Sequence, residues 1–301
     1  MKINGWLFVD KPEGISSRKV VDLISNSLSI KKVGHAGTLD PMASGLLPIA
    51  IGEATKTIGV IQQLKKCYKF VIKWGEKTST DDKIGTTISS TNVRPSFEDI
   101  EKNLKQFVGK IEQIPPKFSA IKVNGKRAYR LARKKTNFSL NSRTVFIETL
   151  KIKKQIDNDH CSFECICSKG TYIRALARDL AAKLGTCGHI SSLRRLKVGS
   201  FSENDAISLD YLETLAHSPA NFNKLLPVEV ALDGIPAMPL SGDQADRMRN
   251  GQSVPLEKEA DWCCSLTLEE GGIIYTMSSG LPVAIARLQQ GFICPIRVLN
   301  F

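Results

Sequence analysis

The chain has 301 residues, 42% of them hydrophobic and 24% charged, enough for one large domain, or one large and one small, around a sizeable core. No apolar run reaches the roughly 20 residues of a membrane helix, and Asp10 cuts short the one at the N-terminus, so neither a spanning segment nor a signal peptide is expected. The net charge of +12 is unevenly spread: residues 1–235 hold 37 Lys or Arg against 23 Asp or Glu, residues 236–301 hold 5 against 7, and nucleic acid is the polyanion such a basic first part suits.

GWLFV, from Gly5, reads as a strand ended by Lys11-Pro12 and a turn at Gly14. Ser16 or Ser17 caps the helix that follows, whose apolar stripe is Val20, Leu23, Ile24 and Leu28. GHAGTLDPMASGLLPIAIGEATK (34–56) is a loop carrying Asp40, then the apolar LLPIAIG, then the start of a helical EATKTIGVIQQLKK. CYKFVIKW alternates as a strand, with Tyr68, Phe70 and Ile72 on one face, and TSTDDKIG reads as a polar loop. Ser96 and Asp99 make an S-x-x-D cap for a helix that stops near Gly109. Pro115-Pro116 breaks the chain ahead of SAIKV, an Asn124-Gly125 turn and a basic helix from Lys126 to about Lys135.

TVFIETLKIKKQI and HCSFECICS are alternating strands joined as a hairpin at Asp157-Asn158-Asp159. Cys161, Cys165 and Cys167 share one face of the second strand, as small buried apolar residues do. With no C-x-x-C pair and four scattered histidines, neither a disulfide framework nor a zinc site is expected, and a reducing cytoplasm fits. KGTYIRALARDLAAKLG is a helix with a glycine stop, and HISSLRRLKVGSF a strand. The proline-spaced PVEVALDGIPAMPL marks a boundary, dividing the chain into 1–235 and a small β-rich 236–301 with strands such as GIIYTMS and VAIARLQ. Strands and helices mix without regular βαβ alternation, which predicts an α+β class.

Gly34, Gly37 and Gly45 bracket Asp40, and no second acid follows until Glu53. Glycine permits close backbone approach to a ligand, and Pro41 restricts Asp40 to an extended or turn conformation. An Asp-Pro turn alone needs neither His35 nor Thr38 at fixed places before the acid. GHAGTLDP followed by ASGLLPIAIGEATK resembles the TruB family of tRNA pseudouridine synthases. GWLFVDKPEGISS, KCYKF, QIPPKFSAIKVNGKRAY, SKGTYIR and LRRL carry the resemblance, in order, over nearly the whole chain.

The resemblance implies isomerisation of uridine-55 in the T loop of tRNA: the base leaves its sugar, turns, and rejoins through C5. Nothing is oxidised and no water is consumed, so no metal and no cofactor are implied. Asp40 matches the nucleophile, attacking C6 of the base or C1′ of the ribose, a choice that stays open. A second carboxylate nearby would raise its pKa, whereas Arg174 matches the arginine that pairs with the acid and keeps it ionised. Tyr68 matches an aromatic stacked on the target base, with removal of the C5 proton as a further possible task. Tyr172 and Leu193 match other pocket positions, Lys11 a block that shapes the pocket floor, and His35 a residue that helps extrude the target nucleotide.

Lys122–Lys135 carries seven Lys or Arg in fourteen residues, and the resemblance places it in a region that closes over the T stem-loop. The implied fold is a mixed, largely antiparallel sheet with flanking helices, plus a small C-terminal β-barrel of the RNA-binding PUA type. The implied partner is tRNA, with no membrane. The chain shows no extended arm of the kind used by guide-RNA-dependent relatives, so a monomer without protein partners is expected. The rival reading is a tRNA-binding and folding chaperone without essential chemistry, which has no need of Asp40, Arg174 and Tyr68 together.

Overall fold

The computed structural model describes residues 3–212, 224–256 and 269–301. In chain order its first strands are β1 (Gly5–Lys11), β2 (Val33–His35), β3 (Ala43–Ile51), β4 (Lys66–Trp74), the hairpin β5 (Glu76–Thr78) and β6 (Thr87–Ser90), and β7 (Gly109–Gln113). A second small hairpin, β8 (Lys122–Val123) and β9 (Lys126–Arg127), precedes β10 (Arg143–Gln155), β11 (His160–Cys167), β12 (Gly188–Val198) and β13 (Phe201–Ser202). Nine of these form one sheet in the order β1-β3-β12-β4-β11-β10-β7, with β2 added to β3 and β13 to β12. Every pairing in it is antiparallel except β3 with β12. That parallel pair sets Leu193 beside Ala43 and Arg195 beside Gly45, and so joins two distant blocks of sequence.

β1 and β3 are near-continuous apolar runs because the sheet is covered on both faces there. Leu7, Val9, Leu47 and Ile49 face a core shared with Phe70, Ile72 and Phe163. Trp6, Phe8, Leu46 and Ala50 face a second core with Ile61 and Val198. The helices α1 (Ser17–Ser27), α2 (Ile58–Gln63), α3 (Phe97–Leu104), α4 (Ala128–Arg133) and α5 (Ile173–Lys183) flank the sheet, and Ile24, Leu176 and Leu180 pack into the first core. Among the described residues no helix is long and apolar enough to cross a membrane.

The caps follow the expected chemistry. Ser16 Oγ accepts from the Lys19 N–H and Ser96 Oγ from the Asp99 N–H. Two helices are shorter than their sequences suggest. Asn124 and Gly125 take φ values of 48° and 78°, closing a tight hairpin that draws Lys126 and Arg127 into β9; the helix therefore starts only at Ala128. In EATKTIG, the Thr55 and Thr57 hydroxyls bond the carbonyls of Gly52 and Ala54 at 2.7 and 2.9 Å, and Gly52–Thr57 winds as a 3-10 turn before α2.

Residues 237–298 build a second, curled sheet from β14 (Ala237–Pro239), β15 (Val254–Pro255), β16 (Ile273–Ser278), β17 (Leu281–Gln289) and β18 (Phe292–Val298), in the order β14-β16-β17-β18-β15. With α6 (Gly242–Arg249) it closes its own core around Met238, Met248, Ile274 and Ile293. The chain end returns to the first sheet: the Asn300 N–H donates to Glu53 at 2.8 Å, and Lys56 Nζ to the Val298 carbonyl at 2.6 Å.

Candidate active site

Asp40 lies in the turn between β2 and β3, and that turn is fastened from below. Ser17, one residue past the cap, donates from Oγ to the Leu39 carbonyl at 3.0 Å and accepts from the Leu39 N–H at 2.8 Å. Lys11 is fully buried, and its ammonium donates to the carbonyls of Pro12 and Ile15, both at 2.8 Å, and to Pro41 at 3.5 Å. Burial brings the Lys11 pKa down to about 8, against the pull of Asp40. Gly45 has φ 101°, and a Cβ there would stand 2.3 Å from the Arg195 carbonyl, so the close approach of β3 to β12 requires glycine.

Arg174, the second residue of α5, is 3% exposed and places Nε 2.8 Å from Asp40 Oδ2, an ion pair with the N–H off the hydrogen-bonding line. Its other nitrogens are anchored: Nη1 donates to the Thr80 carbonyl at 2.8 Å and Nη2 to the Phe118 carbonyl at 3.0 Å. Asp82 Oδ2 stands 3.6 Å from Nη1, while its Oδ1 accepts from the Thr80 hydroxyl at 2.6 Å and the Ile84 N–H at 3.1 Å. The polar loop TSTDDKIG thus supplies a buried second carboxylate. This corrects the expectation that Asp40 has no acidic neighbour: burial lifts its pKa above 3.8, Arg174 pulls it back, and Asp82 pushes it up again.

A cavity of about 610 Å³ opens from this pair. Tyr68, Tyr172, Leu193 and Arg174 line it together with Asp40, whose side chain remains 32% exposed. Tyr68 projects from β4, and burial raises its phenol pKa. Tyr172 caps α5, held through its backbone by the buried Gln113, which donates to the Tyr172 carbonyl at 3.1 Å and accepts from its N–H at 2.8 Å. The Arg143 guanidinium stacks 5.5 Å from the Tyr172 ring. Leu193 is a buried wall residue of β12.

Lys11 supports the site from beneath the turn and is not among the lining residues. His35 does not line the cavity either. It ends β2 opposite Ile49, its Nδ1 is buried without a partner, and burial lowers its pKa. Lys126, Arg127 and Arg130 of the basic segment are solvent-exposed.

Sequence reasoning passed over Asp82, Gln113, Lys66 and Arg195. Arg195 is 1% exposed, donates to the carbonyls of Leu46 at 2.7 Å and Gly37 at 3.1 Å, and lines the cavity. Strand alternation from Leu193 was its available signal. Five basic residues and one carboxylate line the cavity. Such a site suits an anionic ligand carrying a planar ring, presented to an ionised and aimed nucleophile. Among the described residues, no three His, Cys, Asp or Glu side chains converge on a metal position.

The comparisons agree with one another. The model of the TruB family pseudouridylate synthase N-terminal domain matches residues 25–173, and that of the tRNA pseudouridylate synthase B C-terminal domain matches 174–233. A tRNA pseudouridine synthase B of Caulobacter sp. (strain K31) is 43% identical over 299 residues, covering 99% of this chain and 96% of that protein. One from Bradyrhizobium diazoefficiens is 46% identical over 303 residues, covering 99% and 86%. Among solved structures, the chain resembles the archaeal box H/ACA sRNP Nop10-Cbf5 complex with a TM-score of 0.73 at 21% identity, over 98% of this chain and 85% of that one. The last likeness is one of fold.

Proposed function

The chain belongs to the TruB family of pseudouridine synthases, and from that premise we propose that it converts uridine-55 in the T loop of tRNA to pseudouridine with Asp40 as nucleophile. The observation that carries this reading is the Arg174–Asp40 pair at 2.8 Å, in one cavity with Tyr68. The Asp40 carboxylate bonds to C6 or to C1′ of the extruded uridine, and the N1–C1′ bond breaks. The base turns while stacked on Tyr68, and C5 bonds to C1′. C5 then loses its proton, N1 takes one up, and Asp40 is released unchanged, so atoms and electrons balance.

Arg174 orients the carboxylate and opposes its protonation in a site whose burial favours the neutral acid. Held by two backbone carbonyls, the guanidinium does not reorganise as the negative charge is passed to substrate. His35 assists extrusion of the nucleotide, a step costing roughly a few kcal/mol for a stacked base. The exposed Lys122–Lys135 segment meets the phosphates of the T stem-loop. We assign the chemistry to residues 1–235 and an RNA-binding module to 236–301, since each part closes its own core; unchanged tRNA affinity after deletion of 236–301 refutes the second assignment. The test of the whole reading is incubation with an unmodified tRNA transcript and mapping of pseudouridine. Wild type modifies uridine-55, and Asp40→Asn binds the transcript but leaves it unmodified. Substantial turnover by pure Asp40→Asn protein overturns the nucleophile.

A further inference from the structure

The reaction leaves one buried cation of the cavity without a task. Lys66 opens β4 two residues before Tyr68, on the same face of the strand, and lines the same cavity while only 6% exposed. Its ammonium donates to the carbonyls of Gln62 at 2.6 Å and Leu64 at 2.5 Å, just past α2, which accounts for two of its three N–H groups. Among the described residues, no carboxylate lies within 4.0 Å of it. Its basic neighbours, Arg195 and Lys169, add charge of the same sign. A cation nearly removed from water and set among cations is costly unless an anion completes the site.

We propose that Lys66, with Lys169, forms a phosphate subsite at the basic end of the active cavity and holds a phosphodiester that flanks the target uridine in the bound RNA. The inference deepens the functional reading and rests on it. Lys66 and Tyr68 are about 7 Å apart along the strand. That is too far for one side chain to serve the stacked base and near enough for the other to reach the backbone of the same nucleotide. Lys169 stands on the exposed turn before α5, next to Gly170, whose φ of 80° and lack of a side chain leave room at the cavity rim. Burial lowers the Lys66 pKa to about 8, so the ammonium is mostly charged at neutral pH, and a bound phosphate strengthens that state.

The experiment compares wild type, Lys66→Met and Lys169→Ala on a T stem-loop RNA, as kcat, KM and affinity against salt. We expect Lys66→Met to raise KM about tenfold or more with kcat within about threefold, and to flatten the slope of log affinity against log salt by about 0.7, one single-strand phosphate. A neutral methylphosphonate is then placed at each phosphate flanking the target uridine in turn. At one of the two positions the difference between wild type and Lys66→Met should disappear. An unchanged salt slope, with the same loss on both methylphosphonate RNAs as on normal RNA, means that Lys66 only fastens the end of α2, and the subsite is wrong. Should Lys66→Met fail to fold, the exposed Lys169→Ala carries the same comparison, with the same result expected and the same result overturning the subsite. Wild-type turnover on unmodified RNA is the control: its absence refutes the functional reading itself rather than the subsite.

Discussion

Replacing Asp82 by Asn removes a negative charge from the active site while keeping an oxygen that can accept from Thr80 and Ile84. Asp82 stands 3.6 Å from Arg174 Nη1, where Coulomb attraction at an effective dielectric of about 20 amounts to about 4–5 kcal/mol. Desolvation of the two buried groups offsets most of this, and the Thr80 and Phe118 carbonyls still hold the guanidinium. A net loss of about 1–2 kcal/mol in transition-state stabilisation follows, or a kcat lower by roughly 5- to 30-fold. A second effect has the opposite sign. Asp82 raises the Asp40 pKa, so without it Asp40 stays ionised to lower pH, and the acid limb of the rate profile moves down. Asp82→Ala also strips the acceptors from Thr80 and Ile84 and should cost a further ~2 kcal/mol of stability, about 1 for each bond. The assay is single-turnover pseudouridine formation across the acid range, with denaturant unfolding of both variants. An acid limb that stays in place or moves up in Asp82→Asn refutes this account of the Asp40–Arg174–Asp82 arrangement.

Glu53 tests the link to the C-terminal sheet. Against burial that raises its pKa, hydrogen bonds from Lys32, Lys56 and the Asn300 N–H bring it from 4.5 down to about 2. A depressed carboxylate stabilises the fold above the unfolded value of 4.5 and loses that contribution as pH falls from 4.5 towards 2, at most about 3 kcal/mol. Glu53→Gln should lie closer to wild type in unfolding free energy at low pH than at neutral pH; a gap independent of pH contradicts the link. Replacing the exposed Lys126, Arg127 and Arg130 together by Ala should flatten the salt dependence of tRNA affinity by about 0.7–0.9 for each phosphate no longer neutralised, and a wild-type slope means the segment faces away from RNA. His35→Ala should slow reaction more on full tRNA than on a T loop with weakened tertiary pairing, because the second substrate has less to unstack. Equal losses on both, with an imidazole titration vanishing from the rate profile, would make His35 a proton carrier instead.

Much of the site was legible because its chemistry comes in contiguous blocks. GHAGTLDP and KGTYIR place Asp40 and Arg174 by local order alone, and the structure brings the two within 2.8 Å. Alternation put Tyr68, Phe70 and Ile72 on one face of β4, and all three belong to the first core or pack against it. Asp82 was not legible. In a polar loop neither period nor composition tells a solvated aspartate from a buried one, and Asp82 is buried only because α5 carries Arg174 up to Thr80. Lys66 and Arg195 read from the sequence as strand cations that water would solvate, yet the carbonyls of Gln62, Leu64, Leu46 and Gly37 take them up inside the fold.

By itself the sequence determined the local matters: the serine caps, the hairpin between β10 and β11, the glycines around Asp40, and the apolar runs that must be covered on both faces. These depend on interactions among residues close in the chain, which any segment carries with it. Only the tertiary structure decided which charges are buried and which meet. The parallel pairing of β3 with β12 crosses about 150 residues to set Arg195 beside Gly45, and the packing of α5 selects Asp82 as the acid beside Arg174. Removal from water makes those electrostatic contacts strong, and it is a property of the assembled fold that no local stretch can encode.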